Sequence, residues 1–160
     1  RQHGLAWKAL TLLVPGVKRL YEKKVMHVQA LELLRVIGLQ ISNMNVQQLK
    51  EARAYDAVVR TAKFGIIEYF KELTDSCPHL IFSVDVSNEN IGLFQVAVLN
   101  RQDKIYNFIS QMGEKKNRAH VISSSGNNML HLAGFLAPPS QLDKVSGAAL
   151  QMQREIQWFQ

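Results

Sequence analysis

The sequence predicts an all-α fold, a solenoid of about three degenerate helix-pair units with one helix before the array and one after it. Three observations carry that expectation. Residues 126–134 recur in weaker form 36 and 72 residues upstream. A long proline-free stretch from Val17 to about Ile41 places apolar residues three and four apart, as one side of a helix requires. Short apolar runs are then punctuated by Gly65, by Pro78 and by Pro138-Pro139, residues that end helices rather than continue them.

The repeat can be followed residue by residue. Leu130 falls on Phe94 and Val58, His131 on Gln95 and Val59, and Ala133 on Ala97 and Thr61. The match continues on the next helix, where Tyr69-Phe70 pairs with Ile105-Tyr106. A fixed period of this size carrying Leu-His-x-Ala is the signature of an ankyrin array, whose unit is usually about 33 residues. The expected structural residues of the array are Ala62, Gly65, Ala97, Gly126, Leu130, His131 and Ala133. The small ones stand where paired helices approach closely. In an array of this kind a histidine at the place of His131 bonds backbone groups and stiffens the turn.

The elements follow in chain order. Leu5–Val14 is a short apolar stretch with Trp7, closed by a Pro15-Gly16 turn. The helix from Val17 presents Tyr21, Val25, Val28, Leu31, Leu34, Ile37 and Ile41 as its apolar face, and Ser42-Asn43 closes it. Asn45–Tyr55 reads as a second helix. The first unit is then Tyr55–Lys63, a turn at Gly65 and a return helix Ile66–Thr74. The second is Phe94–Leu99, a turn at Asn100–Gln102 with Arg101 in the glycine's place, and Lys104–Gln111. The third begins with Met129–Leu136 and departs from the pattern after Ala137. There Ser140 reads as a helix N-cap with Asp143 three residues on. Val145, Ala149, Met152, Ile156 and Phe159 form a seam that asks for a partner helix. The domains divide as 1–52, a basic helical segment, 53–139, the repeats, and 140–160, an exit helix. The chain starts without Met and stops inside a helical pattern, which reads as a piece of a longer protein.

Composition narrows the function classes. Hydrophobic residues at 47% and charged residues at 20% describe a folded chain. One cysteine, Cys77, excludes an internal disulfide framework. The net charge of +6 sits in residues 1–50, where eight Lys or Arg face only Glu22 and Glu32. No apolar run approaches the ~20 residues that span a bilayer. No metalloprotease, dinucleotide, Walker or nucleophile-elbow motif occurs, and the five histidines lack metal-site spacing. We expect no catalytic residue, no metal and no cofactor. A basic segment without a recognised DNA- or RNA-binding motif gives no reason to expect a nucleic-acid partner.

The expected function is protein–protein recognition. The Ser-, Asn- and Gly-rich turns are where a repeat surface protrudes, so Asn88, Glu89, Asn90, Ser124, Ser125 and Asn127 are the candidate partner-binding residues. The alternative is a lipid- or calmodulin-binding segment on the basic helix 17–41, through Lys18, Arg19, Lys23 and Lys24. A helix that caps the repeats with its apolar face and leaves its lysines solvated is the preferred reading of that segment.

The blocks Gly126–Gly134, Leu136–Ser140 and Ser146–Glu155, together with Pro15–Lys18 and His27–Leu34, resemble plant ankyrin-repeat membrane proteins with a C-terminal PGG domain. That resemblance implies repeats on the cytosolic face of a membrane, the plasma membrane by expectation, attached through a domain outside this chain. It also implies a role in stress or defence signalling.

Overall fold

A computed structural model describes residues 15–85, 90–112 and 122–159. The apolar stretch at Leu5–Val14, with Trp7, lies outside the described residues, as do Asn88, Glu89 and the side chain of Phe159. The chain is all-α apart from one small two-stranded sheet.

Helix α1 runs Pro15–Ser42. Pro15 does not make a turn before the helix; it opens it, at a position where a missing N–H costs nothing. At the other end Ser42 Oγ and Asn43 Nδ2 both donate to the Leu39 carbonyl at 2.8 Å, which draws the chain off the helix. The docked face differs from the expected one. Leu31, Leu34, Gly38 and Ile41 turn inward against α4, whereas Tyr21, Val28 and Ile37 are exposed. Apolar residues are spread around most of this helix, so periodicity offered more than one face, and the close approach at Gly38 selects one. A Cβ there would stand 2.5 Å from Ser76 Oγ and 3.2 Å from Glu72 Oε1.

Helix α2, Val46–Glu51, is capped reciprocally: Gln48 N–H donates to Asn45 Oδ1 and Asn45 N–H to Gln48 Oε1, both at 2.9 Å. It is not the continuous helix to Tyr55 that the sequence predicts. Arg53 adopts φ 56° and breaks it, so that Ala54–Phe64 starts afresh as α3. Gly65, at φ 71°, turns the chain into α4, Ile67–Ser76. A 3-10 turn, Pro78–Phe82, leads to β1, Val84–Asp85, which pairs antiparallel with β2, Ile91–Gly92. Then come α5, Leu93–Leu99, and α6, Asp103–Gln111. The last elements are α7, Met129–Gly134, α8, Pro139–Leu142, α9, Ala148–Ile156, and a closing 3-10 turn, Gln157–Phe159.

Helices α3, α5 and α7 pack side by side in one row, α4 and α6 in a second, and α1 lies on α4. One core cluster joins the rows, centred on Val58, Ala62, Phe70, Val96, Ala97 and Ile105. Phe70 meets Phe108 edge-on at 5.8 Å between ring centres, and Phe94 meets Tyr106 at 5.2 Å.

The 36-residue period is written into the backbone. Gly65 and Arg101 both lie in the left-handed region, and each is followed by the same bond: Ile66 N–H to Thr61 O at 3.0 Å, and Gln102 N–H to Ala97 O at 2.8 Å. Helix starts repeat as well. Gly92 N–H donates to Gln95 Oε1 at 2.9 Å, and 36 residues later Asn128 N–H donates to His131 Nδ1 at 3.2 Å.

The third unit holds less of the pattern. Leu130 is 65% exposed, while Leu132 and Ala133 fill the core instead, because no described element covers the outer side of α7. That helix also stops at Gly134, short of Leu136. Ser140 is not an N-cap: α8 begins at Pro139 with no side-chain cap, and Asp143 follows its last residue. The expected seam of α9 faces outward, with Ala149, Met152 and Ile156 exposed. Polar contacts from its opposite side hold the helix and decide its orientation.

Candidate functional site

The predicted turn residues are partly brought together. Asn90 Nδ2 donates to Ser124 Oγ at 3.3 Å, joining the hairpin to the following turn. That turn is tied internally: Gly126, at φ 84°, donates its N–H to Ser123 O at 2.9 Å, Asn127 N–H reaches Ser123 Oγ at 3.1 Å, and Asn127 Nδ2 reaches Ser125 Oγ at 2.7 Å. Asn90, Ser124 and Ser125 are exposed and Asn127 is half-buried. Much of the polar capacity of these residues is therefore spent on the turn itself.

Lys18, Arg19, Lys23 and Lys24 are all exposed on the outer half of α1, with Lys18 4.0 Å from Glu22. They are distributed around the helix rather than along one side. Ala62, Ala97 and Ala133 are buried where the helix rows touch. His131, exposed, exchanges bonds with Asn128, its own N–H donating to Asn128 Oδ1 at 3.1 Å.

Two features were not anticipated. The first is a polar joint at Arg101, whose side chain is 1% exposed. Its Nη1 donates to Val98 O at 2.8 Å, its Nη2 to Ala133 O at 2.9 Å and Phe135 O at 2.8 Å. Nε and Nη2 also grip the Glu155 carboxylate at 3.0 and 2.6 Å, and the Trp158 ring lies 5.8 Å from the guanidinium carbon. Arginine suits this place because its planar fork satisfies carbonyls and a carboxylate at once. Residue 101 stood out in sequence as the replacement for a turn glycine, but nothing there pointed to Glu155, 54 positions away.

The second is a groove of about 630 Å3 between α3 and β1, lined by Arg53, Asp56, Arg60, Lys63, Phe64 and Val84. Arg53 Nε donates to Asp56 Oδ2 at 3.0 Å. Phe64 is 68% exposed, unusual for a phenyl ring beside a cleft. The sequence signal was available: Arg60, Lys63 and Phe64 share one side of a helix at steps of three and four.

Among the described residues no grouping of His, Cys, Asp or Glu is arranged to hold a metal ion. Cys77 is buried. No helix among them is long and apolar enough to cross a membrane.

A family model, vacuolar sorting protein 39 domain 1, matches residues 9–87, just under half of the chain. Among the described residues the match covers α1 through β1. Comparison with curated proteins and with solved structures gives no match. The resemblance to plant ankyrin-repeat membrane proteins with a PGG domain is thereby overturned, since the family model that matches is neither an ankyrin nor a PGG model. The implied plant stress and defence role, the plasma-membrane address and the attachment domain rested on that resemblance and fall with it. Leu130 shows how the motif misled: the residue that should anchor Leu-His-x-Ala in the core is largely in solvent.

Proposed function

We propose that this chain is a non-catalytic protein–protein interaction module acting in vacuolar sorting, built as a solenoid of stacked helix pairs. The observation that carries the reading is the family match over residues 9–87, which falls on the long helix α1 and the first helix pair. The form of the surface supports it. Helix α1 exposes Leu20, Met26, Leu33 and Leu39, a quantity of apolar side chain that a partner surface would cover. No catalysis is proposed, because the one histidine drawn from the repeat is engaged with a backbone N–H and Cys77 is buried.

The test is genetic and biochemical. Cells in which the gene is deleted should mislocalise a vacuolar cargo reporter, and the full-length gene should restore its delivery. Delivery at the normal rate in the deletion strain would sink the sorting role. Met26→Glu with Leu33→Glu should fail to restore delivery while keeping the helical circular dichroism signal.

One observation favours a second reading, a lipid- or calmodulin-binding segment: Lys18, Arg19, Lys23 and Lys24 of α1 stand exposed near Leu20 and Tyr21. Vesicle sedimentation of the chain and of its K18E/R19E/K23E/K24E variant decides it. Equal sedimentation of the two, with no calcium-dependent calmodulin binding, removes it.

A further inference from the structure

We infer that the groove between α3 and β1 binds an acidic segment of a partner protein, one that places an apolar side chain between its carboxylates. The inference rests on the interaction-module reading and names the partner chemistry of one surface on it.

Arg53, Arg60 and Lys63 line the groove together with the carboxylates of Asp56 and Asp85, which leaves one positive charge in excess. Arg53 is held by Asp56, but among the described residues the side chains of Arg60 and Lys63 make no ion pair. Both are exposed, three positions apart on α3, and so share one side of the helix. Exposed cations alone are ordinarily just solvated. Here they flank exposed Phe64, with exposed Val84 on the opposing wall, in a cleft whose volume lies within the range of ligand-binding clefts. Carboxylates spaced along an extended segment would meet the two cations, and an apolar side chain between them would cover the phenyl ring and the valine.

The backbone supports a fixed receptor. The Gln102 side chain lies so close to Gly65 that a Cβ there would collide with it, and its Nε2 donates to Lys63 O at 2.9 Å. The end of α3 that carries Lys63 and Phe64 is therefore tied to the next helix pair. A receptor already in shape loses little on binding.

The probe is a fluorescein-labelled peptide alternating Glu and Phe, measured by polarisation against the purified full chain, with a Gln-for-Glu peptide and a single-stranded oligonucleotide as comparisons. R60E/K63E should weaken the Glu peptide about tenfold or more and make its binding less sensitive to salt. F64A should weaken both peptides alike. Thermal melts of the variants should match the wild type, since all three side chains are exposed. Equal affinity of wild type and R60E/K63E for the Glu peptide overturns the inference, as does tighter binding of the oligonucleotide. This measurement is made on purified protein. Its failure leaves a sorting defect in the deletion strain standing, and a deletion strain without a defect leaves the groove's affinity standing.

Discussion

Arg101 concentrates more of the molecule's constraint than any neighbouring side chain. It holds a left-handed backbone position, φ 53°, that a glycine fills in the preceding unit, and a non-glycine residue there is strained by roughly 1–2 kcal/mol. Its guanidinium offsets that cost by bonding three carbonyls and the Glu155 carboxylate. Arg101→Met leaves those carbonyls and the carboxylate without their donor, so it should cost about 3–5 kcal/mol in chemical denaturation. Glu155→Gln keeps the shape and loses the charge; with Glu155 22% exposed, we expect about 2 kcal/mol. A Glu155→Gln variant as stable as wild type would show that the carbonyls alone satisfy the arginine. None of this was legible in sequence beyond the identity of residue 101, because partners so far apart along the chain are joined only by folding.

At the scale of elements, helix contacts depend on small residues at crossing points. Ala97→Leu adds a branched side chain where α5 packs between α3 and α7, and overpacking there should cost about 1–3 kcal/mol. An unaltered melting temperature would contradict the register of the helix rows. Gly38→Leu acts on α1 alone. Its side chain would collide with Ser76 and Glu72, so amide exchange in residues 31–41 should accelerate while that of α5 stays unchanged. Equal acceleration in both would mean that α1 opens only together with the rest of the core it joins through Ile41. Helix pairs and their turns were legible here, because Gly65, Pro78 and the 36-residue spacing mark where chains must reverse. Which side of a helix packs was less so. The α1 pattern allowed several faces, and the α9 pattern marked an apolar seam without telling that the opposite, polar side, with Gln151 and Glu155, is the one that docks.

At the scale of the whole molecule, the 36-residue spacing anticipated an all-α chain of helix pairs but misled about kinship. Periodic helix pairs look alike whatever family they serve, since the left-handed turn and the reciprocal caps answer to backbone geometry. The groove beside α3 was passed over because the sequence drew attention to Ser- and Asn-rich turns, while Arg60, Lys63 and Phe64 lie inside an ordinary helix. Gln102 reaches back to Lys63 O in the first pair, and its neighbour Arg101 reaches forward to Ala133 O in the third. Two adjacent residues in the turn after α5 thus rivet α3 and α7 to the pair between them. Open-ended arrays commonly fray from their ends, one unit at a time. This one should instead melt in a single cooperative transition, with tryptophan fluorescence and far-ultraviolet circular dichroism tracing the same curve, and two separated curves would mean that the rivet does not hold.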